Sequence, residues 1–180
     1  FAISNHNLPY LATANVAGAI DVDFSDSSKL EIWSAFNNKN KTTPINSVEI
    51  DSKLYDLTWS ADNKLLVGGL ENGSVQFWDG ESLINKQNND KAVLHTATNH
   101  SSAVKSLAFN RTKNNILLSG SSNSEIFIWD TNKLTADPMT PTGESYTSKN
   151  GNPNAGSAVK KGTTEEISSL SWNHVVSHIF

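Results

Sequence analysis

The chain has 180 residues, of which 37% are hydrophobic and 18% charged, a composition typical of a globular domain rather than a disordered or fibrous protein. Its formal net charge of -4, without a dense cluster of lysine and arginine, argues against a nucleic-acid partner, which would need a basic stripe. Cysteine is absent, which excludes disulfides and thiolate metal sites and favours the cytosol.

The two ends of the sequence suggest part of a longer protein. Phe1 stands where an initiator methionine would be, and residues 175–180 form an apolar run. We expect that residues 1–180 alone would aggregate or stay partly unfolded. No stretch approaches the roughly 18 consecutive apolar residues of a membrane span, so any membrane association is expected to be peripheral.

Three segments ending in tryptophan repeat along the chain. They read KLEIWS, SVQFWD and EIFIWD, and their tryptophans are Trp33, Trp78 and Trp129. The period of about 45 to 50 residues suits four strands per repeat. We therefore predict that the three tryptophans occupy matching positions on the third strand of successive units.

Further apolar runs supply the other strands of each predicted unit. An Asn-Gly turn at Asn72-Gly73 joins two of these runs, as in a hairpin. No amphipathic helical pattern of useful length appears, which favours an all-β chain. The predicted strands besides those bearing Trp33, Trp78 and Trp129 are 47–51, 54–59, 65–69, 92–98, 104–109, 116–120, 167–172 and 175–180.

The repeat predicts a β-propeller fragment of about three and a half four-stranded blades. It resembles the WD40 family, and the resemblance implies an expected full ring of seven blades. The predicted strands are apolar on both faces, as stacked blades require. Blade one is predicted to span about 1–51, blade two about 52–98, blade three about 99–164 and a truncated blade four 165–180.

Residues 131–164 break the rhythm of the repeat. They are rich in proline, glycine, serine, asparagine and threonine, so we predict a flexible insertion within blade three. A short strand is expected near Met139. Thr140, which precedes a proline, is a candidate phosphorylation site.

The third repeat resembles the WD40 pattern most fully. In that family a buried His, Ser or Thr, Asp and Trp form a hydrogen-bonded tetrad. The resemblance implies that His100, Ser119, Asn123 and Trp129 take these positions, with Asn123 in place of the acid and the bond to His100 weakened accordingly. The repeat anchors that it implies are Trp33, Trp78, Asp79 and Asp130.

A catalytic interpretation of the same residues competes with the structural one. Serine, histidine and an acid can form a nucleophilic triad, but such a nucleophile must be exposed beside an oxyanion hole. In WD40 proteins, residues at the matched positions hold neighbouring strands together, so we expect that the protein is not an enzyme. Among the other histidines, His174 and His178 are four residues apart and could hold zinc on a helix, but they are predicted to lie in a turn and a strand, so we expect neither a metal nor a cofactor.

Beyond the generic repeat, the chain closely resembles the propeller of the large-subunit family of the COPII outer coat. The runs that carry the resemblance are 20–34, 51–60, 99–110, 125–134 and 166–180. The resemblance implies a non-catalytic scaffold that packs against other propellers at cage vertices during transport from the endoplasmic reticulum to the Golgi.

The same resemblance implies the partners and the location. These are other coat subunits, including the smaller WD40 partner, which the family binds through regions outside this sequence, on the cytoplasmic face of the endoplasmic reticulum and its vesicles. The alternative is a WD40 substrate receptor or adaptor that binds peptides on the top face. Receptors linked to cullins usually carry Trp-Asp-x-Arg, whereas Trp78-Asp79 and Trp129-Asp130 are not followed by that arginine.

Overall fold

The computed structural model describes residues 1–5, 9–16, 28–34, 43–85, 92–141 and 165–180. These residues form three antiparallel sheets. The first contains β1 (Ala2–Ile3), β2 (Tyr10–Val16), β3 (Ser28–Ser34) and β4 (Asn46–Ile50); the second β5 (Leu54–Trp59), β6 (Leu65–Leu70), β7 (Val75–Asp79) and β8 (Val93–Ala97); the third β9 (Val104–Phe109), β10 (Ile116–Ser121) and β11 (Ile126–Asp130).

Each sheet is a meander in which strands adjacent in sequence are adjacent in space. Because the strands alternate in direction, alternate turns lie at opposite edges. We call the end of the strands that carries the β6–β7 and β10–β11 turns the upper edge, and the end that carries the β5–β6 and β9–β10 turns the lower edge. The sheets and their order confirm the predicted fold class.

The repeated tryptophans take equivalent places in the three sheets. Trp33, Trp78 and Trp129 each lie on the third strand and pair with a leucine of the second strand. The prediction of a shared register is therefore confirmed.

The central strands are buried on both faces because the sheets stack. Leu66 and Val67 are neighbours on β6, and both are 0% exposed. Leu66 belongs to the core shared with the first sheet, and Val67 to the core shared with the third. Side chains at successive strand positions point to opposite faces, so a single strand contributes to two cores.

A short helix interrupts the second sheet. Helix α1 (Gly80–Asn85) follows β7, and the Asp79 carboxylate accepts hydrogen bonds from the Ser82 backbone N–H at 2.9 Å and its hydroxyl at 2.5 Å. This is an N-terminal cap. The helix is too short to display an apolar period, which is why the sequence analysis missed it. No helix among the described residues is long and apolar enough to cross a membrane.

The described part of the predicted insertion makes local backbone contacts. A 3₁₀ turn forms at Thr131–Lys133, capped by Asp130, and Met139 makes an antiparallel bridge to Ile128. The expected short strand near Met139 is thus reduced to one bridge, and the flexibility of the insertion stays a prediction. Residues 142–164 lie outside the described part, and the predicted blade boundaries stay predictions.

The last described segment differs from its prediction. Neither 167–172 nor 175–180 is a strand. Leu170 donates its backbone N–H to the Ser106 hydroxyl at 2.8 Å instead of to a neighbouring backbone, and Asn173 accepts the N–H groups of Val175 and Val176, which closes a turn. A strand requires a ladder of backbone hydrogen bonds with a neighbour, and this segment makes isolated backbone bonds instead, from Ile167 to Ser121 and from Asn173 to Ile179.

Candidate functional site: a buried histidine network and the contacts between sheets

A hydrogen-bonded network lies inside the third sheet. The His100 Nε2 atom is 2.6 Å from the Ser119 hydroxyl, and the Trp129 indole N–H donates to the same hydroxyl at 2.8 Å. His100 precedes β9, Ser119 lies on β10 and Trp129 on β11. The structure thus brings three of the four predicted tetrad residues together, and they tie the entry segment of the sheet to its two following strands.

The carboxylate of this network belongs to Glu125, not to the predicted position 123. Glu125 Oε2 lies 3.4 Å from His100 Nδ1, and both Glu125 oxygens accept hydrogen bonds from Ser101 at 2.8 Å. Asn123 instead accepts from the Ser121 hydroxyl and donates to the Ser101 hydroxyl, each at 2.5 Å. The expectation that His100 lacks a charged partner is corrected: a longer acidic side chain reaches it from the start of β11.

The protonation state follows from burial and contacts. Burial lowers the pKa of His100, and the contact with Glu125 opposes this only in part. Burial raises the pKa of Glu125, but the contact with His100 and the hydrogen bonds from Ser101 lower it by more than burial raises it. The pKa of Glu125 is therefore about 2. The imidazole is neutral and the carboxylate ionised near pH 7. The carboxylate 3.4 Å from Nδ1 favours the tautomer with the imidazole proton on Nδ1, in which Nε2 accepts from the Ser119 hydroxyl.

The proton on Nδ1 points toward Glu125 without a well-aligned hydrogen bond. His100 Nδ1 is buried and has no hydrogen-bond partner among the described residues, despite the 3.4 Å separation from the carboxylate. The contact is therefore mainly electrostatic. It is stronger than the same contact in water, because both side chains are removed from solvent.

Serine, histidine and acid are adjacent here, but they do not form a catalytic site. Ser119 is 0% exposed, and its hydroxyl is already engaged by Trp129 and His100. A cavity of about 310 Å³ is lined by His100 and Trp129 but not by Ser119. A substrate cannot reach the hydroxyl, so the arrangement holds strands together rather than attacking a bond.

The second sheet packs its tryptophan differently. Gly68 occupies the position of Ser119, and a Cβ atom there would lie 2.8 Å from the Trp78 ring. The ring fills the space that a serine side chain would need. Trp78 Nε1 is buried without a hydrogen-bond partner among the described residues. Blade two thus exchanges the network for close aromatic packing.

The remaining predicted site residues have local roles. Trp33 donates its indole N–H to the Thr13 hydroxyl at 3.0 Å. Asp130 accepts from the Asn115 side chain at 2.8 Å and from the Asn132 backbone at 3.1 Å. Thr140 is only 3% exposed. Its phosphorylation stays a prediction, one that would require local opening before a kinase could reach the hydroxyl.

Two side chains on the first strands of the second and third sheets join each sheet to the next segment. Asp56 on β5 accepts the backbone N–H of Leu107 on β9 at 2.7 Å, and Ser106 on β9 accepts that of Leu170 at 2.8 Å. Burial raises the pKa of Asp56, opposed by hydrogen bonds from the Leu107 and Leu57 backbones. We call these two bonds the inner-strand bonds. The sequence analysis missed them; the signal was a polar residue at the third position of each first strand.

A second set of contacts crosses the sheets near the upper edge. Tyr55 donates its hydroxyl to Glu71 at 2.8 Å, and the Lys105 ammonium lies 3.3 Å from the centre of the Tyr55 ring. Lys105 also lies 3.8 Å from a Glu166 carboxylate oxygen. We call Tyr55, Glu71, Lys105 and Glu166 the upper inner row. Lys105 thus links the second sheet, through Tyr55, to the last described segment, through Glu166.

Comparison with protein families and solved structures agrees with this architecture. The family model "WD domain, G-beta repeat" matches residues 41–79 and 91–130. With three stacked antiparallel meanders and equivalent tryptophans, the chain belongs to the WD40-repeat β-propellers.

Within that class, the chain is homologous to the fungal proteins named "Protein transport protein SEC31". It is 47% identical to that of Candida albicans over 78% of this chain, 42% identical to that of Meyerozyma guilliermondii over 98%, and 38% identical to that of Saccharomyces cerevisiae over 100%. The chain spans 12% to 13% of the length of these relatives. The resemblance to the outer-coat family is confirmed.

Solved structures give the same result. A chain in "COPII on membranes, outer coat vertex" is 36% identical, with a TM-score of 0.71 over 96% of this chain and 41% of that chain. A chain in "The structure of the COPII coat assembled on membranes" matches equally well over 23% of its length. A chain of the mitotic checkpoint complex, 20% identical with a TM-score of 0.55, shares the fold alone.

Proposed function

We propose that this chain is a non-catalytic scaffold element of a COPII outer coat, acting on the cytoplasmic face of the endoplasmic reticulum and its vesicles. The observation that carries the proposal is the match to a chain of the outer coat vertex, which extends over 96% of this sequence. Its partners would be other coat subunits, met through the exposed loops at the edges of the sheets.

The internal chemistry supports a structural role. The polar groups of the buried network join strands, and Lys105 of the upper inner row contacts Tyr55 in the second sheet and Glu166 in the last described segment. Rigid blades suit a component that must present fixed surfaces to several neighbours at a vertex. The alternative, a peptide receptor that uses the upper edge, has less support because the Tyr55 hydroxyl already binds Glu71 there and the Tyr55 ring already contacts Lys105.

Segment exchange in SEC31 of Saccharomyces cerevisiae tests the proposal. The corresponding segment is replaced by these 180 residues, and growth and cage assembly on membranes are measured. We expect the exchanged protein to support growth and to form cages with normal vertices.

Two matched variants make the exchange interpretable. Ser119→Asp places a charge in the buried network and should abolish assembly, whereas Lys133→Glu changes an exposed side chain and should not. An exchanged protein that is folded and abundant but forms no cages would overturn the proposal.

A further inference from the structure

A concave surface lies at the lower edge, where the first strands of the second and third sheets end. Its volume is about 530 Å³, and its walls include the aromatic side chains of Trp59, Phe109 and Trp172. Asn5, Arg111 and His174 also line it. We call it the lower cleft. Neither the buried network nor the upper inner row uses these groups.

The charge around the lower cleft is opposite to that of the whole chain. The net charge of the chain is -4, but the cleft is lined by Arg111, the only arginine in the sequence. No described residue that lines the cleft is acidic. Lys113 follows in the same turn as Arg111. Residues 91–124 and 167–180, which supply two of the walls, contain neither aspartate nor glutamate. Asp62, in the neighbouring turn, is engaged by Ser60 at 2.7 Å and by Lys64 at 3.7 Å.

The basic side chains are presented by turns that are held in place. Asn110 is buried and accepts the backbone N–H groups of Thr112 and Lys113, each at 2.9 Å. Its amide donates to the Ser177 carbonyl at 2.8 Å, which ties the turn of Arg111 to the turn of His174. Arg111 and His174 are exposed at this junction. Their backbone positions are therefore fixed, and little order must be gained on binding.

We propose that the lower cleft binds an acidic peptide segment that carries one large apolar side chain. The apolar side chain would lie against Phe109 and Trp172, and flanking carboxylates would pair with the Arg111 guanidinium, whose planar fork suits carboxylates. A concave wall with aromatic sides fits an extended segment better than it fits a flat bilayer. The inference does not rest on the proposed place in a coat.

Peptide binding to SEC31 of Saccharomyces cerevisiae in which these 180 residues replace the corresponding segment tests this inference. The probe is a short synthetic peptide of aspartate and glutamate around a central phenylalanine, labelled for fluorescence anisotropy. We expect saturable binding that weakens as salt rises, because the ion pairs are exposed to solvent. Arg111→Glu should weaken binding by about tenfold or more, since it replaces an attractive charge by a repulsive one. Ser171→Trp, an exposed position on the wall, should block the cleft.

The control is Lys133→Glu, which makes the same change in charge at an exposed position outside the cleft and should leave binding unchanged. Three results would overturn the inference: equal binding of the peptide with asparagine and glutamine in place of its acids, unchanged binding by Arg111→Glu, or binding to phosphatidylserine vesicles that excess peptide does not displace. The last result would assign the basic turns to a membrane surface.

Discussion

At the scale of single residues, Glu125 orients the buried histidine. Its carboxylate accepts two hydrogen bonds from Ser101 and faces His100 Nδ1. We expect Glu125→Ala to lower the free energy of unfolding by about 1–3 kcal/mol, because it removes the carboxylate that faces the buried His100 Nδ1 and that accepts two hydrogen bonds from Ser101. Denaturant titration of the complete propeller that contains this segment gives the value. The control is Glu71→Ala, which removes a partly exposed carboxylate and should cost under about 1 kcal/mol. Equal costs would contradict this role of Glu125.

Position 123 offers a sharper test of where the network finds its acid. If Asn123 stood in for a missing carboxylate, Asn123→Asp would stabilise the protein. In the structure, Asn123 donates to the Ser101 hydroxyl, which itself binds Glu125. The aspartate variant would lose that donor and add a charge close to Glu125. We expect an unchanged or lower denaturation midpoint; a higher midpoint would restore the interpretation based on the tetrad pattern.

Acid should destabilise the network. The pKa of His100 lies below its ordinary 6.5 in the folded state, so its contribution is complete above pH 6.5 and falls as the pH drops below that value. The pKa of Glu125 is lowered from 4.5 to about 2, so its contribution is lost as the pH falls from about 4.5 toward 2. We expect the free energy of unfolding to decrease steadily below pH 6.5.

The variant Glu125→Gln separates the two contributions to the acid response. It removes the titrating carboxylate but keeps a side chain of similar shape. We expect a smaller loss of stability between pH 4.5 and 2 than in the unchanged protein. Denaturation curves recorded across this range measure the difference, and parallel pH profiles would show that Glu125 is not the responsible group.

The sequence pattern could predict most of the fold but only part of this site. Trp129 recurs at a fixed place in the repeat, so its position follows from spacing, whereas Ser119 follows from the resemblance to the WD40 pattern, because Gly68 stands at the matching place of the second sheet. Position 123 was chosen by its place in the turn, whereas the reach of a glutamate from the start of β11 depends on side-chain length. A polar residue at the third position of β5 marks Asp56, but the sequence does not show that its partner is the backbone of Leu107 in the next sheet.

At the scale of elements, the β6–β7 turn depends on Gly73. Its φ of +84 lies in the left-handed region, and a Cβ atom there would come within 2.5 Å of the His100 carbonyl oxygen. That oxygen belongs to the segment that enters the third sheet, so the turn and its neighbour cannot both keep their places. We expect Gly73→Ala to cost about 1–2 kcal/mol from the backbone conformation alone, and more from the contact.

Thermal melting of Gly73→Ala beside Asn72→Ala provides the measurement. Asn72 makes a local turn contact, a 3.0 Å hydrogen bond from the Ser74 backbone to its side chain, and its replacement should cost less. A Gly73→Ala protein that melts no lower than the Asn72→Ala control would show that the turn can shift away from His100.

At the scale of the whole molecule, the Asp56 bond holds the first strand of the second sheet against the first strand of the third sheet. Removing the Asp56 carboxylate leaves the Leu107 N–H without its acceptor. We expect Asp56→Ala to raise the rate of hydrogen exchange at the Leu107 amide by about tenfold or more, since the loss of about 1–3 kcal/mol acts on local opening. Amides in the β6–β7 ladder should exchange as before. A uniform increase over all three sheets would indicate general destabilisation instead.

The position of the inner-strand bonds has a mechanical consequence. The polar contacts described above between the second and third sheets, Asp56 to Leu107 and Lys105 to the Tyr55 ring, lie on the first strands β5 and β9, and the buried cluster between these sheets is apolar. Hydrogen bonds are directional and resist sliding, whereas apolar contact tolerates small rotations. Stiffness is therefore concentrated along the first strands, and the later strands of neighbouring sheets are freer to rotate. Under a bending load the later strands would separate first, and the stack of sheets would change its curvature while the contacts between the first strands hold.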